Sequence, residues 1–191
     1  MTTHGELVGP FPDGTDPDSY DRLRRRVLWQ LPMGLYLLGT SAGDRKNLMT
    51  LNWAMQVSMR PKQIAVSIEH AAVTFGLLRD GGVFSLSILA RVDRAVVRKF
   101  VKPAEHDELA RTLGELSYDI AVTGAPIPRI ALSWLDCEVR QCLDAGSHSV
   151  FVGEVVGAGT RDDGTGSDGA SAPAAPPEIL RMEDTRMSYG G

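Results

Sequence analysis

The feature that most constrains this chain is the alternation in "LNWAMQVSM", residues 51–59. Leu51, Trp53, Met55, Val57 and Met59 fall on one side, and Asn52, Ala54, Gln56 and Ser58, continued back to Thr50, fall on the other. A period of two is the signature of a strand with one apolar face. The opposite face is polar yet carries no Lys or Glu, unlike most strand faces that meet water. A row of neutral donors and acceptors suits the lining of a site.

Similar runs recur along the chain. "GLYLLGTS" ends at a hairpin-like turn, "AGDRKN", and "MRPK" turns the chain into the alternating "QIAVSIEH". "AAVTFGLLRDGG" reads as a short helix stopped by Gly81 and Gly82. "VFSLSIL" is a further strand. "IALSWLDCEVRQCL" and "HSVFVGEVVGAG" read as two strands joined by "DAGS". Many short strands with few helices predict a mostly β fold, an antiparallel barrel with peripheral helices, rather than alternating strand and helix. The helices expected are "DPDSYDRLRRRVLWQL", with Asp18 or Ser19 as cap and an apolar stripe at Leu23, Val27, Leu28 and Leu31, then "RAVVRKFV" and "EHDELARTLGEL". Arg24 to Arg26 read as a solvated face.

Residues 1–17, rich in Gly, Pro and Asp, are expected to be a flexible tail before a single domain over 18–191. "TRDDGTGSDGASAPAAPPE", residues 160–178, lacks hydrophobic pattern and reads as a flexible low-complexity loop. A strand-like pattern resumes at "EILRMEDTRMSYGG".

Composition excludes several functions. The 191 residues suffice for one core, and a formal net charge of -4 leaves no basic surplus for nonspecific nucleic-acid binding. No apolar run reaches the roughly 20 residues that span a bilayer. The N-terminus shows no signal pattern, so a cytoplasmic protein is expected. Cys137 and Cys142, five apart on one strand, point to opposite faces and do not bridge. His4, His70, His106 and His148 show no metal-ligand spacing, so no metal site is expected. "VVGAGT" lacks the third glycine of a dinucleotide fingerprint, and neither a phosphate loop nor a Gly-x-Ser-x-Gly elbow is present. His70 and His148 each end a strand beside small residues, where an ordinary turn histidine is the commoner reading.

From about Leu31 to Tyr189 the chain resembles the flavin reductase-like family with an FMN-binding split barrel. Thr50, Leu51, Asn52 and Trp53 match the family's Thr-x-Asn-Trp segment. "VSMRPK" keeps Val57, Ser58 and Pro61 of a Val-Ser-x-x-Pro-Pro turn, with Lys62 in place of the second proline. Lys99 and Phe100 match a frequent dipeptide. "GSHSVFVGEV" matches Gly-Asp-His-x-x-Phe-x-Gly-Glu-Val, with Ser147 in place of the aspartate.

The resemblance implies a homodimer that binds FMN, with FAD the alternative, and uses NADH or NADPH as co-substrate. It implies an NAD(P)H:flavin oxidoreductase that supplies reduced flavin to a flavin-dependent monooxygenase. Flavin contacts would come from Met49, Thr50, Leu51, Asn52, Trp53, Ser58, Ser67, His70, Thr74, Lys99 and Phe100. Gln56 would lie on the same polar face. Thr74 and the helix start behind "EHAAV" would hold the phosphate, although Ala71, Ala72 and Val73 stand where many relatives carry Arg or Ser. His148 would stand where nicotinamide docks, and Ser147 leaves its charged form less stabilised than an aspartate would. Trp53 is read as core rather than stacking, and Arg186 and Tyr189 as either site or surface. Two rival functions stay open: a flavin-binding electron carrier or sensor that uses no nicotinamide, and, more remotely, a barrel for haem or a deazaflavin.

Overall fold

The computed structural model describes residues 7–161, 178–187 and 189. A helix, α1 (Pro17–Leu28), precedes the hairpin β1 (Tyr36–Ala42) and β2 (Arg45–Leu51). A second hairpin follows, β3 (Ala54–Met59) and β4 (Lys62–Glu69), then α2 (Val73–Gly81) and β5 (Val83–Ile88). Two 3₁₀ turns, Arg91–Asp93 and Val96–Phe100, lead into four short strands: β6 (His106–Asp107), β7 (Thr112–Leu113), β8 (Leu116–Ile120) and β9 (Pro126–Pro128). The long hairpin β10 (Ser133–Asp144) and β11 (His148–Thr160) completes the sheet, and a 3₁₀ turn at Met182–Asp184 closes the described chain.

The main sheet has seven strands in the order β2-β1-β5-β10-β11-β4-β3, every neighbour antiparallel. Its two edge strands, β2 and β3, are consecutive in the chain and joined only by Asn52 and Trp53. Laid flat, a seven-stranded sheet sets its edges roughly 29 Å apart. Two linking residues span only about 10 Å. The sheet therefore curls until its edges meet, and beside the seam the Ser67 amide donates to the Trp53 carbonyl at 3.0 Å, which extends the β3–β4 ladder by one position. Bulges in β10, between Asp136 and Cys137 and between Val139 and Gln141, supply part of the bend. Gly153 is required in the same region, since a Cβ there would lie 2.4 Å from the Phe84 ring.

The barrel interior is filled by Leu38, Leu51, Val66, Ile68, Phe84, Cys137 and Phe151, with Leu78 of α2. Each fully buried aromatic contributes about 1.5–3 kcal/mol over its exposed state. A second core lies on the other face of β1 and β2, where Leu35, Leu37 and Leu48 pack against Val97, Phe100, Leu113, Tyr118 and Leu180. Strand β1 is thus buried on both faces, which explains its unbroken apolar reading.

Several sequence expectations are corrected. The alternating stretch is not one strand: it breaks at Asn52–Trp53, where the chain crosses from one sheet edge to the other. Beyond that break its apolar side faces outward, leaving Met55, Val57 and Met59 65%, 46% and 78% exposed. Ala54 packs on the barrel core instead, and a register shift between Gln56 and Ser58 ends the simple alternation. Periodicity tells which residues share a face, not which face is inside.

"EHDELARTLGEL" is a run of turns and short strands. Arg111 (φ 51°) and Gly114 (φ 56°) both adopt left-handed backbone, and Leu113 finds the core while Leu109 is fully exposed. Among the described residues the C-terminal segment forms no strand, only isolated bridges from Ile179 to Ala90 and from Arg181 to Gly34. Strands β8 and β9 have no counterpart in the sequence reading. Helix α1 is capped by Asp16, whose carboxylate accepts from the Ser19 amide at 3.0 Å, rather than by Asp18 or Ser19. None of its residues is buried. The remaining strands, the "MRPK" and "DAGS" turns, and α2 with its left-handed Gly82 stop (φ 65°) stand as read. Residues 8–11 lie against α1: Arg24 donates to the Val8 carbonyl and sits over the Phe11 ring. The low-complexity segment falls, over 162–177, outside the described residues.

Candidate functional site

A cavity of about 390 Å³ opens beside the place where the chain leaves β2. Its floor is β2 itself, from Asn47 to Asn52. Strand β2 pairs only with β1, so one side of its backbone has no ladder partner among the described residues. The approach to α2, from Ala71 to Thr74, forms a second wall. Ala72 has the extended backbone of an N-cap but no side chain able to cap, so the first amides of α2 lack a side-chain acceptor. Unsatisfied amides at a helix start carry partial positive charge. Phe100 to Pro103 form a third wall and bring Lys102, while Met182, Met187 and Tyr189 close over the top.

The polar side chains of the floor are partly used as tethers. Asn47 Nδ2 donates to Thr74 Oγ1 at 2.9 Å in a buried pair that ties β2 to the first turn of α2. Thr50 Oγ1 donates to the Val97 carbonyl at 2.5 Å, and Asn52 Nδ2 to Met33 Sδ at 3.2 Å. These bonds fix the walls relative to one another.

The rim is built differently. The Trp53 ring lies 4.9 Å from that of His148 and 5.3 Å from that of Tyr189. His148 Nε2 is 3.0 Å from Tyr189 Oη, and Nδ1 is 2.8 Å from Ser147 Oγ. His148 opens β11 directly opposite Glu69, which ends β4 and lines the cavity. Burial lowers the pKa of His148, the nearby Glu69 carboxylate opposes that shift, and His70 adds to it. Burial raises the pKa of Tyr189, and Glu69 raises it further as neighbouring charge and hydrogen-bond acceptor. Burial thus favours the neutral form of the His148 imidazole.

Of the residues singled out in the sequence, Met49, Thr50, Leu51, Asn52, Ser67, Thr74 and Phe100 line the cavity. Trp53 and His148 stand at its rim, Trp53 in tilted ring contacts with His148 and Tyr189 rather than in the core. His70 lies outside: its Nε2 is 2.9 Å from Ser149 Oγ and its ring packs on Phe75. Ser58 is at the far end of β3, and Gln56 beside it is exposed, bonding the Ser58 carbonyl at 3.0 Å. Lys99 forms an ion pair with Glu115 at the surface. The sequence reading missed Asn47, Glu69 and Lys102. Asn47 extends the β2 pattern backward, whereas Glu69 and Lys102 carried no local signal.

Among the described residues no group of His, Cys, Asp and Glu could hold a metal ion. Cys137 is buried, which pushes its thiol up to about 12, while Cys142 is exposed.

Comparison with known proteins matches residues 28–175 to the flavin reductase like domain. The chain is 32% identical over 137 residues to the high molecular weight rubredoxin of Moorella thermoacetica, covering 70% of this chain and 58% of that protein. It is 27% identical over 156 residues to an NADH-dependent FAD reductase of Streptomyces globisporus, covering 78% and 81%. A putative diflavin flavoprotein of Nostoc is 25% identical, and there the chain spans only 23% of the relative's length. Among solved structures, the flavin reductase component of a bacterial two-component tryptophan halogenase superposes with a TM-score of 0.64 at 30% identity, over 75% of this chain and 88% of that one. The fold, the matched domain and these relatives agree: the chain belongs to the flavin reductase-like family, with its FMN-binding split barrel.

Proposed function

We propose that this protein is an NAD(P)H:flavin oxidoreductase that holds FMN in the cavity between β2 and α2. The observation that carries the reading is the make-up of that one cavity: a neutral strand edge, an uncapped helix start and Lys102, with a histidine at the rim whose neutral form burial favours. The donor set fits the group. An isoalloxazine ring has a polar edge suited to uncharged partners such as Asn52, Ser67 and the β2 backbone. The amides of α2 and Lys102 suit a phosphate. FAD remains the alternative where the cavity opens to solvent.

When bound, flavin supplies a two-electron acceptor for hydride from a reduced nicotinamide. The chain's own residues bind and orient. Asn47 holds Thr74, and through it the start of α2, against the floor. Trp53 and His148 offer flat faces at the rim to align a second planar ring. Alignment of this kind accounts for much of the acceleration open to such a site.

The natural acceptor is, in this reading, a flavin-dependent monooxygenase. The chain acts as a homodimer: α1 and the turn after it leave Leu23, Val27, Leu28 and Leu31 exposed, and β3 leaves Met55, Val57 and Met59 exposed. A 12-residue helix with no buried residue gains its stability from a partner surface. Sedimentation at micromolar concentration tests this; a monomer removes it. Among the described residues no helix is long and apolar enough to cross a membrane, and a cytoplasmic location belongs to the same reading.

The test is oxidation of NADH and of NADPH by the purified protein, with and without FMN or FAD. Flavin-dependent oxidation supports the reductase. FMN binding with no oxidation of either nucleotide overturns it in favour of a flavin-binding electron carrier. Two observations favour that second reading: Tyr189 packs on Trp53 and His148, where a nicotinamide would stack, and the Moorella thermoacetica relative is named as a rubredoxin.

A further inference from the structure

Asn52 ends the cavity floor, and the face it shows to the cavity is decided by Met33. Asn52 Nδ2 donates to Met33 Sδ at 3.2 Å, and Asn52 is only 5% exposed. A thioether sulfur has no proton to give and only accepts. The end of the amide turned toward it is therefore the NH2 end, since the opposite orientation would set two acceptors against each other. The carbonyl oxygen, Oδ1, is left on the other side. Among the described residues no donor reaches Oδ1, yet it is not sealed in as an unpartnered buried atom. The open space that Asn52 borders is the cavity.

Met33 is itself held from two sides. Its carbonyl accepts from the Met182 amide at 3.1 Å, and its neighbour Gly34 forms a β-bridge with Arg181. One residue further on, Leu35 sits in the second core and also lines the cavity. The sulfur is thus carried by backbone that is pinned to the core and to the segment closing over the cavity.

We propose that Met33 is a positioning residue that turns the Asn52 carbonyl into the cavity, so that the site accepts a ring N–H at that point. The inference rests on the FMN reading and deepens it. An oxidised isoalloxazine ring carries one N–H, at N3, between two carbonyls. A fixed acceptor matches that N–H. An amide free to turn would offer its NH2 group to a ring carbonyl equally well, and Met33 removes that second choice. Leucine at position 33 would fill similar space and leave the amide unbiased.

Two measurements test this on the full-length protein. The first is a proton NOE between the Asn52 Nδ2 protons and the Met33 methyl group, with M33L and N52A used for assignment. The cross-peak is expected without any ligand, and its absence overturns the assignment. The second is a fluorescence titration with FMN and with its N3-methyl derivative, which lacks that N–H. Wild type is expected to prefer FMN by about tenfold or more, the scale of one buried hydrogen bond and its unpaired acceptor. N52A, with no acceptor, gives the preference that steric bulk alone produces. M33L is expected to lie close to N52A in this preference, while its denaturation midpoint stays near wild type because the swap conserves volume. A wild-type preference in M33L would mean that Met33 only packs, and overturns the proposal. A wild type that binds FMN and its N3-methyl derivative alike overturns it too, and leaves the reductase reading standing. Neither measurement uses a nicotinamide. The expected results in a protein that oxidises neither NADH nor NADPH would remove the reductase reading and leave this one standing. Binding of neither flavin by wild type overturns both.

Discussion

The floor and the rim of the cavity are two solutions to the same task of holding polar groups in place. The floor is buried, uncharged and built from neighbouring strand positions, and its side chains tie wall to wall: Asn47 to Thr74, Thr50 to Val97. The rim is half-exposed, carries the Glu69 carboxylate, and is assembled from residues far apart in the chain, Trp53, Glu69, His148 and Tyr189. The floor behaves as an extension of the core, so damage there is paid in stability. The rim is a network of polar and ring contacts, so damage there shows in orientation and protonation while the fold survives.

The sharpest way to break this distinction is at Leu48, fully buried in the second core while its strand lines the cavity. L48A is expected to cost about 2–5 kcal/mol of unfolding free energy, read from the denaturant midpoint. A cost as small as that of Y189F would mean that the floor is not core. Next comes T74V. It leaves the buried Asn47 amide without its acceptor, at a cost of about 1–3 kcal/mol. It should also weaken FMN binding, because the tether that seats α2 is lost, and a fluorescence titration beside the denaturation curve reads both. K102A is smaller: the fold is unaffected, and affinity for FMN falls about fivefold, in line with loss of one partly solvated charge contact. Riboflavin, which lacks the phosphate, should bind K102A and wild type alike.

The rim is tested by pH. The pKa of folded His148 lies below its ordinary value near 6.5. The unfolded chain therefore takes up that proton first as pH falls. The contribution of neutral His148 to stability is present above pH 6.5 and is lost as pH drops through the folded pKa. Comparing wild type with H148Q isolates it: the difference in midpoint should be flat from pH 7 to 8 and change only below about 6.5. A change centred above pH 7 would mean a histidine held in its charged form.

The same contrast explains what could be read from the sequence. Strand β2 and the start of α2 are local patterns: the period marks Thr50 and Asn52, and the resemblance adds Met49, Leu51 and Thr74. The barrel follows from many short strands, although its closure depends on β2 and β3 being opposite edges of one sheet, which no window of sequence contains. The outward face of β3 misleads for a related reason, since Met55, Val57 and Met59 have the spacing of core residues and lie on the outside. Glu69 and Lys102 have no periodic partner. They matter only because β4 and β11 pair in register, and because the segment after Phe100 folds back over β2. The roles of His148 and Tyr189 come only through the resemblance, and Glu69 is not marked at all.

The two lysines 99 and 102 give the finest test, because sequence and structure choose differently between them. Lys99 belongs to the dipeptide that marks the family resemblance. Its ammonium pairs with Glu115 at the surface, with both side chains more than half exposed. An exposed pair of this kind contributes about 0–1 kcal/mol. Lys99 is not among the residues that line the cavity, while Lys102 lines it three residues later. K99A is therefore expected to leave the affinity for FMN within about twofold of wild type and to shift the denaturation midpoint little. K102A, measured in the same titration, should show the larger loss. The reverse order would move the phosphate away from the wall formed by Phe100 to Pro103. It would also mean that the dipeptide of the family resemblance, and not the neighbouring residue the fold brings inward, supplies the charge at the phosphate.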